Sequence, residues 1–298
     1  MVMRTMPETN LNCRPEVVPF FDEDTNTFSY VVKDPASNAC AIVDSVMEID
    51  YAAGRLSLDG ADKIIDYVKR HDLKVEWLIE THVHADHLSA APYIQEKVGG
   101  KLGIGAKITV VQETFGKIFN ADTEFARDGS QFDHLFEDGD EYMVGEMRCF
   151  AIHTPGHTPA CMTHVMGDAA FVGDTLFMPD AGTARADFPG GDARVLYQSI
   201  DKLLSLPDQV RLFMCHDYMP GGREVEYETT VGAQKAANIH VHAGTTEQQF
   251  VEMREARDAT LDMPRLILPS LQVNMRAGHL PDAEDNGTVY LKLPLNVL

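Results

Sequence analysis

A short segment of this chain concentrates four side chains that can bind a metal ion. It reads Thr81-His82-Val83-His84-Ala85-Asp86-His87, so three imidazoles and one carboxylate fall within six residues. Imidazole nitrogen and carboxylate oxygen suit zinc, iron and manganese. A single His on a loop is usually a surface residue, but this density would crowd mutually repelling groups together without a cation. The segment therefore predicts a metal site.

The residues on either side of this segment predict the elements that position it. Upstream, Val75–Glu80 is a short, mostly apolar run that is typical of a buried strand, and downstream Leu88–Val98 predicts a helix. The four side chains would then lie on a strand-to-helix loop, where a rigid scaffold can present them to a cleft.

Three further residues of metal-binding type occur where a predicted strand gives way to a loop. His157 lies on a Pro/Gly turn, Asp174 directly follows the run Phe171-Val172-Gly173, and His216 stands at the end of an apolar run. We expect all of them at one edge of the fold, beside the first cluster.

The order of elements along the chain predicts two similar halves. The β-rich runs are expected at Val17–Phe21, Thr27–Val32, Cys40–Val43, Lys101–Ile104, Tyr142–Val144, Arg148–Ile152, Cys161–Met166, Ala169–Val172 and Val210–Cys215. The main helices are expected at Asp59–Arg70, Thr109–Phe119 and Val195–Leu204. A β-rich stretch followed by helices, twice over, fits two sheets packed face to face with helices outside. The predicted fold is an α/β protein with an αββα sandwich.

The character of the chain changes after Gly222. Glu224–Asn238 and Thr246–Leu261 are polar and predict helices, and the run Pro264–Pro269 is followed by a loop-rich tail. We therefore predict a catalytic unit over residues 1–222 and a helical and loop extension over residues 223–298. The extension is expected to pack on the same domain, because few of its residues are apolar enough to form a core.

Composition and charge exclude several classes of function. The chain has 298 residues, of which 44% are apolar and 24% charged, an ordinary globular mix. Its formal net charge of −21 opposes binding to nucleic acid or to anionic membranes. The five cysteines form no C-x-x-C pair, and the N-terminus lacks the pattern of a secretory signal. We expect a cytoplasmic protein whose oligomeric state is open, a homodimer being one alternative.

With all these motifs in order, the chain resembles the metallo-β-lactamase superfamily. That superfamily carries H-x-H-x-D-H and then His, Asp and His, as residues 82–216 do in this chain. The resemblance implies two metal positions bridged by Asp174. Their other ligands would be His82, His84 and His157 for the first position, and Asp86, His87 and His216 for the second.

A second set of motifs resembles the persulfide dioxygenase branch, which is related to glyoxalase II. The matching runs are Thr183–Phe188, Leu196–Ser199, Leu206–Pro207, His216–Tyr218 and Val273–Gly278. One departure is the run Ala184-Arg185-Ala186-Asp187-Phe188, where relatives carry Gly-Arg-Thr-Asp-Phe.

The branch implies an Fe(II)-dependent dioxygenase that oxidises a glutathione-type persulfide with O₂ to sulfite and thiol. One Fe(II) per chain would be held by His82, His157 and Asp174, which leaves three positions open. The remaining members of the cluster would be catalytic groups that orient ligands or water, namely His84, Asp86, His87 and His216. The carrier thiol would contact Arg185, Tyr218 and Arg276, although Arg185 or Arg276 could instead pair with Asp187 or another structural carboxylate.

Two alternatives use the same residues. A glyoxalase II-like hydrolase would hold two Zn(II) per chain with all seven ligands and attack a thioester with hydroxide. A non-catalytic metal or sulfur sensor would pass its state to a partner. Metal content distinguishes the hydrolase from the dioxygenase, because the hydrolase would hold two zinc ions per chain and the dioxygenase one iron. Oxygen consumption distinguishes the dioxygenase from the sensor, which would consume none.

Overall fold

Strands and helices alternate along the chain in two β-rich blocks. A computed structural model describes residues 6–121 and 125–297, and its strands and helices lie in those ranges. The strands are β1 Glu16–Asp22, β2 Thr27–Lys33, β3 Ala39–Val43, β4 Val46–Asp50, β5 Arg55–Ser57, β6 Lys74–Ile79, β7 Leu88–Ser89, β8 Lys101–Gly105, β9 His134–Phe136, β10 Glu141–Val144, β11 Met147–His153, β12 Met162–Met166, β13 Ala169–Phe171, β14 Arg211–Phe213 and β15 Glu228–Thr230. The helices are α1 Asp59–Arg70, α2 Ala91–Val98, α3 Ile108–Ile118, α4 Ala193–Leu204, α5 Val231–Ala237, α6 Glu247–Asp258 and α7 Ile267–Asn274.

Two six-stranded sheets pack against each other. Their strand orders are β1-β2-β3-β6-β8-β9 and β10-β11-β12-β13-β14-β15, and β5-β4-β7 form a smaller sheet. The core between the large sheets is rich in aromatic rings. The ring of Tyr30 on β2 lies 5.3 Å from that of Phe171 on β13 and 5.6 Å from that of Phe213 on β14. Successive residues of a strand face opposite sides, so Val31 points away from this core towards the helices.

Helices cover the outer face of each large sheet. The first sheet packs on α1, α2 and α3 through residues such as Ile64 and Ile94. The second packs on α4, α5 and α6 through residues such as Leu196 and Phe250. The predicted αββα sandwich is therefore confirmed. No helix in the described ranges combines the length and the hydropathy that a membrane crossing requires.

Side-chain caps fix where α4 and α6 begin. The carboxylate of Asp192 accepts hydrogen bonds from the backbone N–H groups of Arg194 and Val195 at the start of α4. At the start of α6, Thr246 and Gln249 form a reciprocal capping box. Each cap satisfies backbone donors that a helix leaves unpaired in its first turn.

Two predicted helices begin later than the sequence indicated. The helix expected over Leu88–Val98 starts only at Ala91, because Leu88–Ser89 instead pairs with β4 in the small sheet. The helix expected over Glu224–Asn238 starts only at Val231, because the preceding residues pair with β14. In both places the polar and apolar pattern was compatible with either structure, and a partner strand distant in sequence decided the outcome.

The helix α7 was not predicted from the sequence, which indicated only a loop-rich tail after the run Pro264–Pro269. Pro269 is the third residue of the helix. A proline is tolerated there because the first-turn N–H groups of a helix have no intrahelical acceptor. The proline therefore marked the beginning of a helix and not the absence of one.

The predicted C-terminal extension contacts both layers of the sandwich. Its strand β15 pairs with β14 of the second sheet, and α5 and α6 pack in that half. Its helix α7 packs with the helices of the first sheet through Leu271 and Val273. The division of the chain between residues 222 and 223 stays a prediction. Residues 1–5, 122–124 and 298 of the two predicted units lie outside the described residues.

A buried ion pair on α6 allows a test of this packing. Arg254 is 1% exposed, and its guanidinium bonds Asp258 and the carbonyl of Thr183. We expect Arg254→Met to lower the free energy of unfolding by about 3–5 kcal/mol, because it leaves the buried Asp258 carboxylate without its cationic partner and with only the Ala186 N–H bound to it. Urea denaturation measures this change.

The control for this prediction is an exposed ion pair that also involves α6. Arg194 pairs with Glu247, and the Arg194 side chain is about half exposed. Arg194→Met should cost at most about 1 kcal/mol, because solvent screens such a pair. Equal losses in the two variants would contradict the role given to burial.

Candidate metal centre

The predicted ligands come from loops that meet at one edge of the sandwich. The segment His82–His87 follows β6, Asp174 follows β13, His216 follows β14, and His157 lies between β11 and β12. β3 and β6 are parallel, as are β13 and β14, so the carboxyl ends of each pair lie at the same edge. Ligand sites in α/β folds commonly occur at such an edge.

His82, His157 and Asp174 form one buried group. Their possible ligand atoms all lie within 4.8 Å of one another. The Oδ2 atom of Asp174 is 3.6 Å from Nε2 of His157 and 3.9 Å from Nε2 of His82. Two imidazoles and one carboxylate are the set that non-haem iron oxygenases use, because it leaves coordination positions free.

A second group lies against the first. Its members are within 4.8 Å of one another and are His84, Asp86, His87 and His216. The Nε2 atom of His216 is 3.1 Å from Oδ2 of Asp86 and 3.3 Å from Oδ1 of Asp174. The two oxygens of Asp174 thus face different groups, which is the position that a bridging carboxylate needs.

Five buried polar atoms of these groups form no hydrogen bond in the described structure, although carboxylate oxygens approach Nε2 of His216 closely. They are Nε2 of His82, Nδ1 of His84, Nε2 of His87, Oδ1 of Asp174 and Nε2 of His216. An unsatisfied buried polar atom costs roughly 1–3 kcal/mol, so folded proteins rarely keep several together. Bound cations would satisfy these atoms, and the residues present therefore fit a metal centre.

The other ring nitrogen of each of four imidazoles is held by the protein. Nδ1 of His82 lies 3.0 Å from Oγ1 of Thr81, and Nδ1 of His157 lies 2.8 Å from the carbonyl oxygen of Arg185. Oγ1 of Thr27 contacts two rings, at 3.2 Å from Nδ1 of His216 and 3.4 Å from Nδ1 of His87. Such partners fix the ring orientation and the tautomer of a metal ligand.

Burial favours the neutral ring that metal binding requires in two of these imidazoles, His82 and His87. Burial, and after it the neighbouring imidazoles, lowers the pKa of His82 well below its ordinary value. Burial and then His84 lower the pKa of His87 to about 4. Neutral imidazoles keep the lone pair that binds a metal, so these two residues need not lose a proton at neutral pH.

Two carboxylates that were not predicted from the sequence hold His84. Its Nε2 atom lies 3.0 Å from Oδ1 of Asp44 and 3.4 Å from Oε2 of Glu80. Asp44 also accepts hydrogen bonds from the backbone N–H and the hydroxyl of Thr81. Asp44 directly follows β3, just as Asp174 follows β13, so an acid at the end of an apolar strand was the sequence signal for it.

Gly173 allows the close approach of β13 to the ligand segment. It adopts a φ of +50°, and a Cβ atom at this position would lie 2.7 Å from Oγ1 of Thr81 and 3.3 Å from Nδ1 of His82. Glycine is therefore required both by the backbone conformation and by the space beside the first imidazole.

A cavity opens onto the metal-binding groups. Its volume is about 430 Å³, and Asp86, His157 and Asp174 lie in its wall. Phe177 and Phe188 contribute an apolar part of the wall. The size and the mixed lining are typical of a small-molecule site.

The three predicted substrate-binding residues have different surroundings. Tyr218 lines the cavity and stacks on the His216 ring, with 5.8 Å between the ring centroids. Arg185 also lines it, but Nε and Nη2 of its guanidinium bond both oxygens of Asp187. Arg276 lies over the ring of Phe125, at 4.6 Å from its centroid, and is not among the described residues that line the cavity. Their role in binding a substrate stays a prediction.

Comparison with known proteins gives relatives along most of the chain. A probable metallo-hydrolase of Burkholderia pseudomallei is 57% identical over 94% of this chain and 98% of its own length. Glyoxylase B2 of Dictyostelium discoideum is 45% identical, with 96% and 98% covered. The mitochondrial persulfide dioxygenase ETHE1 of Homo sapiens is 27% identical, with 87% of each chain covered.

A solved structure and a family model agree with these relatives. The crystal structure of ETHE1 from Myxococcus xanthus superposes with a TM-score of 0.70 at 27% identity, covering 89% of this chain and all of the other. The model of the metallo-β-lactamase superfamily matches residues 22–216, the range that contains both metal-binding groups. The chain therefore belongs to the metallo-β-lactamase superfamily.

Proposed function

We propose that this chain is an Fe(II)-dependent persulfide dioxygenase. The observation that carries the proposal is the separate group of His82, His157 and Asp174, whose ligand atoms lie within 4.8 Å of one another. Two imidazoles and one carboxylate are the ligand set of non-haem iron oxygenases. The similarity to persulfide dioxygenases over 87% of the chain also supports it.

Iron at this group would supply redox chemistry with O₂ and positions for the substrate sulfur. The overall change consumes one persulfide, one O₂ and one water, and it yields the thiol, sulfite and two protons. The terminal sulfur is oxidised, O₂ is reduced, and the sulfur–sulfur bond breaks when water adds.

The chain's own residues prepare the site for this reaction. The carbonyl of Arg185 holds His157 through Nδ1, which aims Nε2 at Asp174. Phe177 and Phe188 line the cavity and make part of its wall apolar. Tyr218 stacks on His216 and forms another part of the wall, so the persulfide would enter along these rings.

A second candidate function is supported by the second group. The ligand atoms of His84, Asp86, His87 and His216 are also within 4.8 Å of one another, which allows a second metal beside the first. Two zinc ions would favour a hydroxide that attacks a glutathione thioester. The probable metallo-hydrolase and Glyoxylase B2, at 57% and 45% identity, support this alternative.

The decisive experiment measures metal content and two activities on the same preparation. Protein purified without added zinc is loaded with Fe(II), and oxygen uptake with glutathione persulfide is compared with cleavage of a glutathione thioester. We expect about one iron per chain and oxygen uptake that yields sulfite. Two zinc ions per chain with thioester cleavage and no oxygen uptake would support the hydrolase. Absence of both activities would leave the non-catalytic sensor as the remaining alternative.

A pair of variants ties the activity to the first group. His82→Ala should lose iron and oxygen uptake together, because its Nε2 is one of the unpaired ligand atoms. His71→Ala changes an exposed histidine beyond the end of α1 and should keep both. Full iron retention in His82→Ala would contradict the proposed ligand set.

A further inference from the structure

Two arginines at the entrance of the cavity have no acidic partner among the described residues. Arg257 on α6 and Arg265, just before α7, line the same cavity as Asp174 and His157. Both side chains are exposed. Neither guanidinium forms an ion pair or a hydrogen bond with a residue of 6–121 or 125–297. Their donors are therefore available to a ligand that enters the cavity.

The other arginines of the cavity wall are already occupied. Arg185 donates to both oxygens of Asp187 and to the carbonyl of Asp262. Arg254 donates to Asp258 and to the carbonyl of Thr183. A ligand could use these donors only by breaking existing hydrogen bonds, so these two arginines order the wall.

The available arginines matter because the chain as a whole repels anions. Acidic residues number 46 and basic residues 25. Two cations at an entrance give an approaching anion a local attraction that the rest of the surface lacks. The planar guanidinium matches a carboxylate in two parallel hydrogen bonds, a geometry that lysine does not offer.

Two acids in the same lining narrow the class of ligand. Asp24 and Asp262 line the cavity, and their carboxylates form no ion pair within the described part of the chain. A ligand with several phosphates would meet repulsion from them. A ligand that carries an ammonium group as well as carboxylates could place the ammonium group near these two acids and its carboxylates near the two arginines.

We propose that Arg257 and Arg265 bind the two carboxylates of the thiol carrier, while Asp24 and Asp262 face its ammonium group. The entrance arginines then take the role that was predicted from the sequence for Arg185. The inference rests on the proposed function for the reacting sulfur, but recognition of the carrier does not depend on which bond is broken.

Binding of a non-reacting ligand tests the inference. S-methylglutathione carries two carboxylates and one ammonium group and has no sulfur–sulfur bond or thioester. Its Kd is measured by calorimetry at low ionic strength for the wild-type protein, Arg257→Met, Arg265→Met and the double variant. Each single change should raise Kd about fivefold and the double change about 25-fold, since each removes one exposed ion pair. Added salt should weaken wild-type binding more than binding to the double variant.

A matched control removes one positive charge, as each single variant does, but at a position away from the cavity. Arg55 on β5 is also exposed and lies outside the cavity lining. Arg55→Met should leave Kd unchanged. The diethyl ester of S-methylglutathione lacks both carboxylates and should bind the wild-type protein and the double variant equally weakly.

Several results would overturn the inference. One is that the wild-type protein does not bind S-methylglutathione. Another is that the double variant binds it with the wild-type Kd. A third is that the double change raises the Kd of the diethyl ester as much as that of S-methylglutathione. Failure of the proposed function looks different. Oxygen uptake would then be absent while S-methylglutathione still bound through Arg257 and Arg265.

Discussion

Asp174→Ala is expected to release the metal and to bring oxygen uptake below detection. The Asp174 carboxylate faces both groups, with Oδ2 3.6 Å from Nε2 of His157 and Oδ1 3.3 Å from Nε2 of His216. Loss of a residue that merely supports a ligand lowers metal affinity about 10–100-fold, so loss of this shared ligand should exceed that range. Metal content after dialysis and competition with a chelator measure the effect.

The isosteric change Asp174→Asn separates charge from shape. It keeps the size of the side chain but removes the negative charge, which faces both metal-binding groups and would attract a cation. We expect metal affinity close to that of the alanine variant. The control is Asp138→Ala, which removes a partly exposed carboxylate that pairs with Lys202 and belongs to neither metal-binding group. Normal metal content in either Asp174 variant would contradict the assignment of this residue to the centre.

The sequence indicated the seven residues that meet at the candidate metal centre because their chemistry is locally dense. The segment His82–His87 contains four possible ligands, and such density has few explanations besides a cation. His157, Asp174 and His216 could be added because each follows a strand, and strand ends of one edge meet in space. The fold followed from the same alternation of β-rich and helical stretches.

What the sequence did not indicate depends on contacts between distant segments. Asp44 follows an apolar strand, but only the pairing of β3 with β6 brings it to His84. Leu88–Ser89 became a strand through pairing with Val46 and Met47. Whether Arg185 was free or paired depended on one side-chain geometry, which neither composition nor spacing contains.

The helix α7, which the sequence pattern did not reveal, connects the cavity with the metal-binding segment. The residues just before α7 line the cavity entrance, and its last residue is Asn274. The Nδ2 group of Asn274 donates to the carbonyl oxygens of His84 at 2.9 Å and His87 at 2.8 Å. Its Oδ1 atom accepts from the backbone N–H of Ser89 at 2.8 Å. One buried amide thus holds the backbone that carries the ligands.

Asn274→Ala is expected to lower both stability and metal affinity. The change leaves two carbonyls and one N–H without partners in a place that is 5% exposed. We expect a loss of about 3 kcal/mol or more in the free energy of unfolding, at roughly 1–3 kcal/mol for each buried group. Metal affinity should fall about 10–100-fold, because the ligand backbone is no longer held. Denaturation of the metal-free protein and chelator competition measure the two quantities separately.

A second buried asparagine shows whether the metal effect is specific to the ligand segment. Asn238 donates to the carbonyl of Gly182 and to Gln234, and it accepts from the N–H groups of His240 and Val241. Asn238→Ala should therefore cost a similar amount of stability, but it should leave metal affinity unchanged because none of these partners carries a ligand. Equal losses of metal affinity in both variants would mean that general loosening, and not the bond from α7, weakens the centre. Only a loss confined to Asn274→Ala would show that the C-terminal helix is part of the metal site.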